Sequence, residues 1–112
     1  MSDPRDPKNY SDQGFWSKVA RAAGSAGRYV IEKALLLYFV LSDSDTPPWA
    51  KATIVAALAY FISPVDAVPD VLPVVGFGDD LAVLGAAISA VAAVTKPVHH
   101  ERAAEEVRKI FG

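Results

Sequence analysis

Apolar residues dominate the chain between Phe15 and Thr95, and the few places where they are interrupted mark out the elements. From Phe15 to Leu41 the spacing is helical, with a soft point at Gly24-Ser25-Ala26-Gly27. Glycine costs a helix about 1 kcal/mol relative to alanine, so a bend or a break is expected there. Ahead of it, Phe15, Val19 and Ala22 recur on one helical face, with Lys18, Arg21 and Arg28 forming a basic side. That pattern suits an interfacial helix, in which aromatics enter the lipid boundary and cations meet anionic head groups. It equally suits a surface helix that packs Phe15 and Trp16 on a core. Beyond the soft point, Ala34 to Leu41 has no polar face except the Tyr38 hydroxyl, and it must be buried by protein or by lipid.

Asp43 to Pro48 reads as a turn that also starts the next helix, with Asp45 or Thr46 as its cap and proline in its first turn. This helix is predicted over about 48–62, ending before Pro64, which disfavours the α conformation at Ser63. The next is predicted to begin at Asp79 or Asp80, whose carboxylates would cap free N–H groups and meet the positive end of the helix dipole, and to reach about Thr95. Leu81, Leu84, Ile88 and Val91 form its bulky ridge. Ala82, Gly85, Ala86, Ser89 and Ala93 form a strip of small residues, expected to meet Ala56, Ala57 and Ala59 of the preceding helix at close range. After Pro97 comes a water-facing helix with Ala103, Val107 and Ile110 or Phe111 on one side, and Glu105 and Lys109 in the favourable i, i+4 order. No strand alternation or internal repeat appears. The expected fold is therefore all-α with about four helices, built on a central apolar helical hairpin joined by a rigid Pro/Asp-rich loop. Residues 1–13, rich in proline and alternating charge, read as a flexible polar tail without the apolar run of a signal peptide, and 14–112 as a single domain.

Composition narrows the function classes. Of 112 residues, 52% are hydrophobic, which keeps membrane contact open. The net charge of −2 lacks the broad basic footprint of a nucleic-acid binder. With no cysteine there is no disulfide, thiolate metal site or cysteine nucleophile. Lys51 and Pro64 leave only Ala52 to Ser63 as the second helix's apolar run, short of the roughly 20 residues a bilayer crossing needs. A hairpin dipping into one leaflet remains compatible with the pattern. Arg21, Arg28, Lys33, Lys51 and Lys96 lie away from the acidic loop, as on a cytoplasmic positive side.

The densest signal is Tyr60 to Asp80, YFISPVDAVPDVLPVVGFGDD. Pro64, Pro69 and Pro73 fix φ, Gly76 and Gly78 permit positive φ, and Asp66 and Asp70 are placed to bond freed backbone amides. The run S-P-x-D-x-x-P-D-x-x-P-x-x-G-x-x-D-D, carried by Ser63, Pro64, Asp66, Pro69, Asp70, Pro73, Gly76, Asp79 and Asp80 with Lys51 and Ala57 to Tyr60 ahead of it, resembles the YkvA-like domain of bacteria and archaea. Its motif core would occupy 49–84. Val68 and Val71 stand where that family usually carries other apolar residues. The resemblance implies an α-helical fold and frequent membrane association, and it implies no established catalytic activity.

Two readings of the acidic loop follow. In one, the aspartates are structural, and the protein is a non-enzymatic module without cofactor that meets membrane lipid or another helical protein. Such a module would sit on the cytoplasmic side of a membrane, or in the cytoplasm as a bundle that hides its apolar surface by self-association. In the other, Asp66, Asp70, Asp79 and Asp80 hold a divalent cation such as Mg²⁺ or Ca²⁺, with hydrolysis by an Asp pair as an extension. Other candidates are weaker. The D-x-D of Asp43 and Asp45 fails as a calcium loop, because Pro48 and Ile54 occupy its glycine and glutamate positions. His99 and His100 diverge by about 100° on a helix and read as surface histidines near a helix start. Trp16, Trp49, Tyr38 and Tyr60 fit either an interfacial belt or core edges. On the structural reading, added Mg²⁺ or Ca²⁺ leaves the melting temperature unchanged. A cation site would instead raise stability by about 2.7 kcal/mol at a hundredfold excess over Kd, and Asp66→Asn or Asp70→Asn would abolish the gain.

Overall fold

A computed structural model describes residues 7–24, 27–62 and 73–112, the side chains of 73–80 excepted. Its described elements are helical: α1 (Asp12–Ala22), α2 (Arg28–Ser42), α3 (Pro48–Ile62), α4 (Pro73–Ala90) and α5 (Pro97–Phe111), with 3-10 turns at Pro7–Asn9 and Ala92–Val94. The all-α class stands, but the described residues form five α-helices, not about four. The soft point is a full break: α1 stops at Ala22, and α2 starts after Gly27, whose φ of 87° is closed to most other residues. Separate helices can turn their apolar faces independently, which one bent rod could not do.

The centre is α2. Val30, Ile31, Ala34, Leu35, Leu36, Leu37 and Val40 are buried on it, and they point to more than one side. A helix apolar all round needs cover all round. Accordingly α2 touches α3, α4 and α5. α3 contributes Ala50, Ile54, Ala57, Leu58 and Phe61 along one stripe, and α4 contributes Leu84 and Ala87, with Val91 just past its end. The small strip of α4 does not meet α3 as expected: Ala82, Ala86, Ser89 and Ala93 are exposed. Burying the bulky ridge removes more apolar area from water than close backbone approach would.

The N-terminal segment closes the structure at α3. Within the stretch expected as a tail, Pro7–Asn9 already turn, and Ser11 caps α1 by accepting a 2.9 Å hydrogen bond from the Gly14 N–H. Space at Gly14 is tight: a Cβ would lie 2.9 Å from Ser11 Oγ and 3.3 Å from Ile62 Cγ2, so a larger residue would have to displace the cap. Tyr10 donates to Asp12 Oδ1 at 2.6 Å, and its burial, reinforced by that carboxylate, holds the phenol far above its ordinary value. Phe15 stacks on Tyr38 with centroids 4.7 Å apart and rings 9° from parallel, and it meets Phe61 at 6.1 Å. Trp16 closes edge-on against Phe15 and Tyr38.

Both features that pointed toward lipid are thus turned inward. Phe15, Val19 and Ala22 are buried, as is most of Ala34 to Leu41, and among the described residues no helix is long and apolar enough to cross a membrane. If α1 is integral to the core, Phe15→Ala should destabilise by about 3–5 kcal/mol in denaturant titrations, with a much smaller loss for Trp16→Ala at the surface. A Phe15→Ala protein with the parental midpoint would make α1 an appendage.

Candidate functional site

The predicted acidic site is only partly in view. Ser63, Pro64, Asp66, Pro69 and Asp70 lie outside the described residues. Pro73, Gly76, Asp79 and Asp80 lie on α4, which starts at Pro73. Asp79 and Asp80 are therefore the seventh and eighth residues of a helix already under way and cannot be its N-caps. Gly76 and Gly78, expected to form a turn, lie within the helix. Two glycines cost a helix about 1 kcal/mol each, which an otherwise apolar segment begun by proline at its first position can absorb. Among the described residues, no group of three or more His, Cys, Asp or Glu is arranged to hold a metal ion.

A different polar cluster is built where the α2–α3 turn meets the start of α5. Asp43 follows α2, and its Oδ1 accepts from the Asp45 N–H at 2.8 Å, which fixes the turn. Its Oδ2 sits between two partners, His99 Nε2 at 2.9 Å and Lys96 Nζ at 3.1 Å. Lys96 Nζ also reaches Asp45 Oδ2 at 3.0 Å. These bonds hold the Asp43 carboxyl well below its ordinary value, with the Asp45 amide contributing most, then His99 and Lys96; Lys96 is raised by Asp45 and Asp43. Thr46, buried, turns its hydroxyl back to the Val40 carbonyl at 2.7 Å, adding a second bond to an acceptor at the end of α2 that already takes the Asp43 N–H at 3.2 Å. Asp45 and Thr46, expected as caps of α3, thus serve Lys96 and α2.

His99 is the third residue of α5 and is 2% exposed, so it is not a surface histidine, whereas His100 is exposed as predicted. Its Nδ1 accepts from the Lys96 N–H at 2.9 Å, doing for α5 what Glu or Gln does at the third position of a capping box. With Nδ1 accepting, the proton of the neutral ring is on Nε2, which donates to Asp43. A catalytic His–Asp pair keeps one ring nitrogen for its substrate. Here both are occupied, so the cluster clasps two turns together and has no free position for proton transfer. The sequence carried one signal for it, the order Lys-Pro-Val-His, which sets a hydrogen-bonding side chain three residues after a helix cap.

A groove of about 410 Å³ lies between α2, α4 and α5, lined by Tyr29, Leu36, Ile88, Ala103 and Ala104 with Glu32, Lys33 and His100. Tyr29 is 61% exposed, and Lys33 Nζ rests 4.5 Å from its ring centroid.

Residues 50–86, from the first turn of α3 into α4, match the model of a family described as Protein of unknown function (DUF1232). The matched stretch contains the Pro/Asp-rich motif of the sequence, covers less than half of the chain and does not itself carry the YkvA-like name. No curated protein and no solved structure matches the chain.

Because the folded-state pKa of Asp43 is depressed, its stabilisation is complete above the ordinary value of 3.8 and is lost as the pH falls below it toward the folded value. Asp43→Asn should therefore lower the melting temperature near neutral pH and flatten its fall below about pH 4. Parallel wild-type and variant acid limbs would show that Asp43 does not contribute through its charge.

Proposed function

We propose that this chain is a non-enzymatic interaction module with a YkvA-like core, working without a cofactor, and that it recognises a protein partner through the groove between α2, α4 and α5. The observation that carries the reading is the groove itself: a hollow lined by apolar side chains from three helices, with an exposed tyrosine at the edge and acidic and basic side chains beside it. Its volume is that of a site for a small ligand or for one or two anchoring side chains, and tyrosine is among the residues that dominate binding energy at interfaces. The full engagement of His99 supports a binding role over catalysis in the other described polar cluster.

A lipid surface is the second reading, favoured by the exposed faces of Trp16 and Trp49 and by Lys18 and Arg21 on α1. It would place the module peripherally, on the cytoplasmic face of a membrane.

The test is photo-crosslinking in cells from a probe at position 29, in wild type and in Ala104→Trp, which fills the groove. The expected result is a discrete protein adduct that Ala104→Trp removes at unchanged melting temperature. An adduct indifferent to the filling sinks the groove reading. Flotation of the purified protein with anionic liposomes, and no groove-dependent adduct, would favour lipid.

A further inference from the structure

The clasp contains a buried titratable group whose two nitrogens do different jobs, and that asymmetry makes it sensitive to protons. In the neutral ring, Nδ1 accepts the Lys96 N–H and Nε2 donates to Asp43. A second proton can go only to Nδ1, where the Lys96 N–H already points at 2.9 Å. Two donors then face each other, the amide at the start of α5 loses its acceptor, and the ring can keep only its bond to Asp43 by moving off the cap.

The charged groups around it cannot restore that acceptor. From the α2–α3 turn come Asp43, on Nε2, and Asp45, which bonds Lys96; from the α4–α5 turn comes the Lys96 ammonium, bound to both carboxylates. On α2, Glu32 and Lys33 share the groove with His100, the neighbouring exposed residue. Asp43 attracts the imidazolium through Nε2 and offers nothing at Nδ1.

We propose that His99 is an acid-sensitive latch: protonation at Nδ1 exchanges the helix cap for an ion pair and releases the first turns of α5 from the bundle. The buried side chains next along α5 are Ala103 and Val107, and Ala103 also lines the groove. Release of these turns alters the groove, so the latch is a conformational control on that surface. The latch itself does not depend on what the groove binds.

Amide hydrogen exchange, expressed as protection factors so that intrinsic chemistry is removed, tests it between about pH 8 and pH 4, the range that covers histidine titration in proteins. Protection in the first turns of α5 should fall as pH is lowered, with opening growing by up to about tenfold per pH unit, the limit for uptake of one proton. Protection in α3 should hold. His99→Gln keeps an acceptor for the Lys96 N–H and a donor for Asp43 but does not titrate, and its α5 profile should be flat. His100→Gln, which leaves His99 as the chain's other histidine, should behave as wild type. Imidazole ¹⁵N resonances of wild type should show Nε2–H at neutral pH, and conversion of Nδ1 to a donor should coincide with the loss of protection. A pH-independent α5, a His99→Gln profile like wild type, or protection lost without a change at Nδ1 would each overturn the latch. The last comparison decides the matter even if His99→Gln does not fold.

Discussion

α2 buries apolar side chains on more than one side. Val30, Ile31, Leu35, Leu37 and Val40 cannot be covered by one neighbour, so three helices gather around them, and the placement of every later element follows from that need. It explains why α4 turns its bulky ridge inward and leaves its alanines outside. It also explains why α5, whose apolar stripe is narrow, is held on α2 partly by other means. Arg102 lies over the Phe39 ring and Arg28 over Phe111, cation–π contacts at the edges of the α2–α5 pair. The Asp43–His99–Lys96 clasp fixes the end at which α5 begins.

Packing on α2 and α3 also accounts for the aromatic face of α1. An amphipathic helix with aromatics on one face and cations on the other satisfies the requirements of a lipid interface and of a protein surface alike. The difference lies in whether a matching aromatic surface exists elsewhere in the chain. Tyr38 and Phe61 supply one, and Phe15 stacks on the first and tilts against the second. Lys18 lies 5.2 Å from the Phe61 ring centroid, so even the basic side contributes to docking.

The periodic parts of the fold were legible in the sequence. The bounds of α3, the buried face of α5, the ridge of α4 and the break before α2 all come from apolar spacing or from proline and glycine, which act locally. The start of α4 was not legible, because proline and glycine mark either a turn or a helix that tolerates them, and local propensity differs between the two by only about 1–2 kcal/mol. Nor was the clasp. Its partners lie more than fifty residues apart in sequence, and Asp43, Asp45, Lys96 and His99 each have an ordinary local explanation as turn or helix-start residues. Only the packing of α5 on α2 makes them neighbours. Glu105 and Lys109 show the same limit on a small scale: the spacing suits a pair, yet Lys109 bonds Glu106 instead.

The division between what is local and what is assembled bears on where function resides. The stretch that matches a family, 50–86, comprises most of α3, the Pro/Asp-rich sequence after it and most of α4, while the groove and the clasp depend largely on α2 and α5, outside it. Without α2, the buried side chains of α3 and α4, Ile54, Leu58 and Leu84 among them, would lose cover that they share with it. The matched segment is thus a framework that requires a partner helix, and this chain supplies it from its own N-terminal half. The groove is accordingly built mainly by helices outside the matched stretch, and Ile88, the residue of α4 that lines it, stands just beyond that stretch.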